Sequence, residues 1–199
     1  MLLTSDACYE LLKQHYQERF DQLCTQLWED MQSHLLHTNG VVSICLEIVS
    51  GLSQQSRLFV DLEFLNAAAI LHDIAKFDGE DGRADDHHKL AGAVLMNCRA
   101  LLGTDVDSDD LEILDDIIKA HKGSFKPDKD YVCEAAVLRM ADKIDMLRRG
   151  KDKRNKYEEG IEKIETYFQK HFEDDSEEAQ FLSDFLTVIQ KLPKSPRQA

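Results

Sequence analysis

A histidine and an aspartate stand side by side in Leu71-His72-Asp73-Ile74-Ala75-Lys76, at the end of the apolar run Leu65-Asn66-Ala67-Ala68-Ala69-Ile70-Leu71. Burying an imidazole and a carboxylate is costly unless something pairs with them. A divalent metal ion is one such partner, because it takes a neutral imidazole nitrogen and a carboxylate oxygen together. Taken alone, the dipeptide is better explained as a hydrogen-bonded His–Asp pair at a helix end. Other metal-capable side chains on apolar helix faces reverse that balance. His37 opens His37-Thr38-Asn39-Gly40-Val41, and His87 and His88 precede Lys89-Leu90-Ala91-Gly92-Ala93. His121 lies on the face of Leu111, Leu114 and Ile118, and Asp142 shares a face with Ala135, Leu138 and Met146. Separate helices thus each turn a potential ligand inward, and the core of a helical bundle is where such sites are built.

The elements that must position these residues read as helices throughout. Apolar residues recur at helical spacing in Phe20, Leu23, Leu27 and Met31, then in Val41, Cys45, Ile48 and Val49. Residues 62–74 are nearly all apolar and so central. Further helical stretches run over 90–102 and 132–147, and through Leu111, Leu114, Ile117 and Ile118, which an aspartate cluster at 105–110 starts well. Ile161, Ile164 and Phe168, then Phe181, Phe185 and Ile189, mark two more. The 3 prolines stand at 127, 193 and 196, so none interrupts the first 126 residues. No segment alternates with period two, and the fold class expected is all-α, one helical domain over 1–192 followed by a disordered tail at 193–199. The acidic, glycine-bearing loop 77–86 is expected to be mobile. It lacks the spacing of a calcium-binding EF-hand loop.

Composition narrows the partners. With 38 acidic and 24 basic residues the net charge is −14, which disfavours duplex nucleic acid. A small phosphorylated substrate stays compatible, since a metal-lined pocket reverses the local field. The 5 cysteines form no CxxC pair and read as small buried hydrophobes in a reducing compartment. Without a recognisable signal peptide or an apolar run of membrane length, no membrane association is expected, and the expected location is cytoplasmic.

The ordered set His37, His72-Asp73, His88, His121 and Asp142 resembles that of the HD superfamily of metal-dependent phosphohydrolases. The local contexts match as well: His-Thr-x-x-Val at 37, Leu-His-Asp-Ile-Ala-Lys at 71, His-x-x-x-Gly-Ala at 88 and Ala-Asp-Lys-Ile-Asp at 141. The resemblance covers 37–148 and implies an HD-domain helical bundle with an N-terminal helix and a C-terminal helical extension. It implies that His37, His72, Asp73 and Asp142 hold one metal, and that His88 and His121 hold a second with Asp73 bridging, as in hydrolases of diadenosine tetraphosphate and the HD-GYP phosphodiesterases. Two departures matter. Many binuclear members carry adjacent histidines where this chain has His121-Lys122, and the HD-GYP motif itself is absent, which disfavours cyclic dinucleotides.

Within that pattern His34 competes with His37, and His87 with His88. His37 is preferred for the Thr and Val that follow it, and His88 for its spacing to Gly92. The expected activity is hydrolysis of a phosphoester or phosphoanhydride, a nucleotide by preference, by a metal-activated water. Asp73 bridges the metals and orients the nucleophile. Lys76 acts on the transition-state charge, and Lys76, Lys143 and Arg148 contact substrate phosphates. No general acid is identifiable. The His/carboxylate set suits Fe, Mn, Zn, Co, Ni or Mg, two ions per chain, without selecting among them. A homo-oligomer is compatible with the sequence. Two other functions fit the same ligands: a di-iron oxygenase on this scaffold, and a non-catalytic module that binds a nucleotide or partner.

Overall fold

A computed structural model describes residues 4–23, 28–80, 82–102, 106–151 and 153–193. Among these residues the α-helices are α1 (Ser5–Leu23), α2 (Trp28–Gly51), α3 (Gln54–Arg57), α4 (Leu62–Leu71), α5 (His87–Asn97), α6 (Arg99–Leu102), α7 (Ser108–Ala120), α8 (Val132–Arg148), α9 (Arg154–His171) and α10 (Glu177–Lys191), and no strand occurs. The all-α expectation holds. None of the described helices is long and apolar enough to cross a membrane.

Caps set where the central helices begin. The Asp61 carboxylate accepts from the backbone N–H groups of Glu63 and Phe64 at the start of α4, at 2.8 and 3.2 Å. Asp107 and Asp110 form a reciprocal capping box on α7, satisfying donors that a helix start leaves open. Helix α4 buries Phe64, Leu65, Ala67, Ala68, Ala69, Ile70 and Leu71 and packs against α1, α2, α7 and α8. It is the hydrophobic centre that its composition indicated. Its small alanines let neighbouring helices come close, which brings their side chains within reach of the His72-Asp73 turn at its end. Behind α8, Phe168 of α9 stacks on Phe181 of α10 at 6.3 Å, closing the core from the C-terminal side.

The boundaries differ from the periodicity in three places. The stripe Phe20–Met31 is divided, with Phe20 and Leu23 on α1 and Met31 on α2; Cys24 and Leu27 lie outside the described residues. The apolar run 62–74 is helical only to Leu71, with His72 as its cap. The stretch 90–102 starts earlier, at His87, and breaks at Cys98. The loop expected to be mobile is tied at several points. Phe77 is buried, Ala84 N–H donates to the Lys76 carbonyl at 2.9 Å, and from α1 Arg19 Nε donates to the Phe77 carbonyl at 3.1 Å. The expected tail lies outside the described residues from 194 onward. Cys8, Cys45 and Cys133 are buried free thiols, and burial pushes that of Cys8 up to about 12, in keeping with small hydrophobes.

Candidate metal centre

Five imidazoles lie within 3.9 Å of the Asp73 carboxylate, four of them by Nε2, and the tautomers of those four follow from what each Nδ1 touches. His72 Nδ1 donates to the Ala69 carbonyl at 2.8 Å, His87 Nδ1 to Ala84 at 2.8 Å and His121 Nδ1 to Ile118 at 2.5 Å. Each acceptor lies three residues back in the chain. His37 Nδ1 instead meets the Asp145 carboxylate at 2.6 Å, 108 residues away. With Nδ1 engaged as donor, each neutral ring turns an Nε2 lone pair inward.

Those Nε2 atoms cluster. His37 Nε2 and His72 Nε2 are 3.3 Å apart. Asp73 Oδ2 lies 3.9 Å from the first and 3.7 Å from the second. Asp73 Oδ1 is 2.7 Å from His87 Nε2 and 3.8 Å from His121 Nε2. Asp142 Oδ1 stands 3.2 Å from His37 Nε2. All these residues are buried. Two groups of three, His37/His72/Asp73 and Asp73/His87/His121, place one ligand atom each within 4.8 Å of one another.

Lone pairs facing lone pairs and carboxylate oxygens repel unless a cation lies between them. With its proton on Nδ1, His87 Nε2 is buried 2.7 Å from Asp73 Oδ1 with no proton to share, which a neutral polar core would not leave. Burial opposes ionisation of Asp73 and Asp142. The surrounding groups outweigh it, the His72, His34 and His87 imidazoles at Asp73 and Lys143 with His37 at Asp142, and both carboxyls are held well below the usual range. Burial likewise pulls His37 down, but Asp142 and Asp145 hold it at about 9. The ring between those carboxylates therefore carries a proton or meets a metal. His121 and His72 are driven the other way by burial and stay neutral, the form a metal requires. The donor set, its tautomers and the orphaned nitrogen all fit a divalent metal ion.

The elements explain the arrangement. His37 sits in α2, where Gly40, one turn on, lets Asp145 of α8 approach; a Cβ on Gly40 would lie 2.0 Å from Asp145 Oδ1. His72 and Asp73 leave the end of α4, and Tyr16 of α1 donates its hydroxyl to the Asp73 carbonyl at 2.9 Å, fixing that turn. His121 caps the C-terminus of α7.

Two expected residues are placed elsewhere. His88, the expected ligand, lies outside both groups, and His87 takes the position against Asp73. The packing of α5 on α7 is the reason. His87 shares the buried face of Ala91, Val94 and Leu95, whereas Gly92, one turn past His88, abuts Asp115 of α7, with a Cβ there 2.6 Å from that carboxyl. Arg148, expected at the substrate rim, forks onto Glu47 at 2.6 and 3.1 Å and donates Nε to the Pro193 carbonyl at 2.9 Å. Successive helical residues point about 100° apart, so Arg149 faces the centre instead. Asp145 was visible only as the last residue of Ala-Asp-Lys-Ile-Asp. His34, weighed against His37, stands beside it with Nδ1 3.4 Å from Asp73 Oδ2.

A cleft of about 440 Å³ opens onto Asp73, His37, His87, His121 and Asp142. Among the described residues Lys76, Lys122, Lys143, Lys151, Lys153, Lys156, Arg83 and Arg149 line it, against Asp73, Asp85 and Asp142. Lys143 bonds the Asp142 carboxylate. Lys76 Nζ comes within 3.4 Å of His87 Nδ1, whose proton Ala84 already accepts, so the ammonium gains no acceptor there and faces the cleft.

An all-helical bundle with a His/Asp cluster at its core defines a metal-binding helical class. A model of the HD domain family matches residues 35–147, more than half of the chain, and the chain belongs to that family, a superfamily of metal-dependent phosphohydrolases. No curated protein and no solved structure matches it.

Proposed function

We propose that the chain hydrolyses a phosphoester or phosphoanhydride of a small phosphorylated substrate, a nucleotide by preference, with two divalent metal ions bridged by Asp73. The observation that carries this reading is the convergence of four Nε2 lone pairs on the two oxygens of one buried carboxylate. His37 and His72 would hold one ion with Asp73 Oδ2, joined by Asp142. His87 and His121 would hold the other with Asp73 Oδ1. Bound there, such ions supply a hydroxide at neutral pH and neutralise charge on the phosphoryl oxygens.

The chain's own residues do the rest. Asp145 keeps the His37 ring turned inward and raises its basicity. Lys143 anchors Asp142 and with Lys76 sets positive charge beside the reacting phosphoryl group, where it counts most in the transition state. Further out, Lys151, Lys153 and Lys156 draw an anion toward the cleft of an otherwise acidic protein. That rim favours a substrate with more than one phosphate charge.

The test is to load the purified protein with Mn, Fe, Co, Ni, Zn or Mg in turn, count bound metal, and assay phosphate release from a panel of nucleotides and other phosphoesters. Two equivalents of metal with hydrolysis on at least one nucleotide is the expected result. Two equivalents with no hydrolysis anywhere on the panel would overturn the catalytic reading while leaving the metal centre in place.

A further inference from the structure

The loop that follows His121 lines a second cavity, of about 600 Å³, whose other wall is the C-terminal half of α9. None of its lining residues borders the metal cleft. Tyr167 and His171, one helical turn apart, stack face to face with ring centroids 4.4 Å apart at an angle of 31°, and the outer face of that stack is the aromatic shelf of the cavity. Phe125 meets Tyr167 edge-on at 5.4 Å, and the Tyr167 hydroxyl donates to the Pro127 carbonyl at 2.7 Å. The shelf is therefore fixed against the loop before any ligand arrives. Slight desolvation, with Lys170 and Lys129 nearby, lowers the pKa of His171, so its ring is neutral at pH 7.

The charged residues of the cavity are all cationic. Lys126, Lys163 and Lys170 line it, with no carboxylate among the lining residues, in a chain of 38 acidic and 24 basic residues. Lys163 is engaged, by the Gly123 carbonyl at 3.0 Å and by Glu159 at 2.5 Å. Lys126 and Lys170 have no hydrogen-bond or ion-pair partner among the described residues. Ser124 and Thr166 add exposed hydroxyls. A flat apolar shelf beside two unpaired ammonium groups matches a planar ring that carries an anion at one end. Aromatic stacking accepts any base, and the volume lies within the range of about 300–1,000 Å³ typical of small-ligand pockets. Two unpaired ammonium groups match the charge of about −2 on one phosphate monoester.

We propose that this cavity is a second ligand site, separate from the metal centre, which binds a nucleoside monophosphate. The base lies on the Tyr167–His171 shelf, the phosphate meets Lys126 and Lys170, and the Ser124 and Thr166 hydroxyls serve the ribose. The assignment does not depend on hydrolysis at the metal centre.

Calorimetric titration with adenosine 5′-phosphorothioate, which resists hydrolysis, tests it on the wild type, on Lys126→Glu/Lys170→Glu and on His171→Ala. The double lysine variant should bind at least tenfold more weakly, and His171→Ala at least threefold. Ribose 5-phosphate, which lacks the base, should bind the wild type at least tenfold more weakly than the nucleotide. Lys126 and Lys170 are exposed and His171 half-buried, so melting temperatures should hold, and any hydrolysis of a base-free phosphoester should stay within twofold. Unchanged affinity in both variants would assign the nucleotide to the metal cleft alone and overturn the proposal. Equal affinity for ribose 5-phosphate, or no binding by the wild type, would overturn it too.

Discussion

Helix α8 buries a carboxylate near each end, Glu134 at 2% exposure and Asp142 at 6%, and the two titrate in opposite directions. Glu134 has one partner, the Asp61 backbone N–H at 2.5 Å, and its other oxygen is buried without any. Burial raises its carboxyl to about 7, against that single hydrogen bond. Asp142 lies just as deep, yet Lys143 and His37 hold its carboxyl well below the usual range. Burial alone therefore does not decide the charge of a carboxylate in this core; the neighbouring cations and donors do. At one end of α8 a carboxyl with a raised pKa ties a helix cap. Further along, a charged carboxylate sits between Lys143 and His37.

The sharpest way to break this comparison is to remove the anion that both ligand groups share. Asp73→Ala should abolish phosphohydrolase activity, by about 1,000-fold or more, and lower metal content at both positions. His121→Ala should empty only the position it shares with His87. Metal analysis beside the activity assay separates the two patterns, and two metals retained in His121→Ala would refute the second position.

Next come the residues that orient rather than ligate. Asp145→Asn weakens the partner of His37 Nδ1, and the expected loss of metal affinity is about 10- to 100-fold. Gly40→Ala should give a similar loss by a different route, because its Cβ would displace the Asp145 carboxylate. Competition with a calibrated chelator measures both. If Gly40→Ala binds metal as the wild type does, α8 moves freely at that contact and the orienting role of Asp145 fails.

At the opposite end of α8, the pH dependence of stability should carry the mark of Glu134. Its folded carboxyl, at about 7, lies above the unfolded value of 4.5, so the native state keeps a proton that the unfolded chain releases. Stability from this group is complete below pH 4.5 and declines as pH rises through 7, by up to about 3 kcal/mol. Glu134→Gln keeps the acceptor for Asp61 and cannot ionise. It should stabilise the protein by about 1–3 kcal/mol at pH 8 and change little at pH 5, as urea melts at the two pH values would show. Equal effects at both would mean that Glu134 is not neutral in the core.

The smallest expected effect lies outside the HD match. Tyr16→Phe removes the hydroxyl that holds the Asp73 carbonyl and should cost about 1 kcal/mol, with metal binding weakened only slightly. A loss of metal as large as that of Asp145→Asn would show that α1 belongs to the metal centre rather than bracing it.

The sequence by itself determined the helical class, the central place of α4, and the order of metal-capable residue types from His37 through His72-Asp73 and His121 to Asp142. Helical periodicity is local, and a ligand at the end of an apolar run announces itself without knowledge of its neighbours. Between His87 and His88 helical phase does not choose, because both lie on the buried face of Ala91 and Leu95, and spacing to Gly92 drew the choice to His88. Only the tertiary structure decided which cations face the cleft and which carboxylates are charged. Arg148 turns to Glu47, 101 residues away, His37 leans on Asp145 because Gly40 leaves room, and Tyr16 reaches Asp73 across 57 residues. Such pairings depend on how whole helices pack, and no local pattern encodes the distance between two side chains brought together by a third.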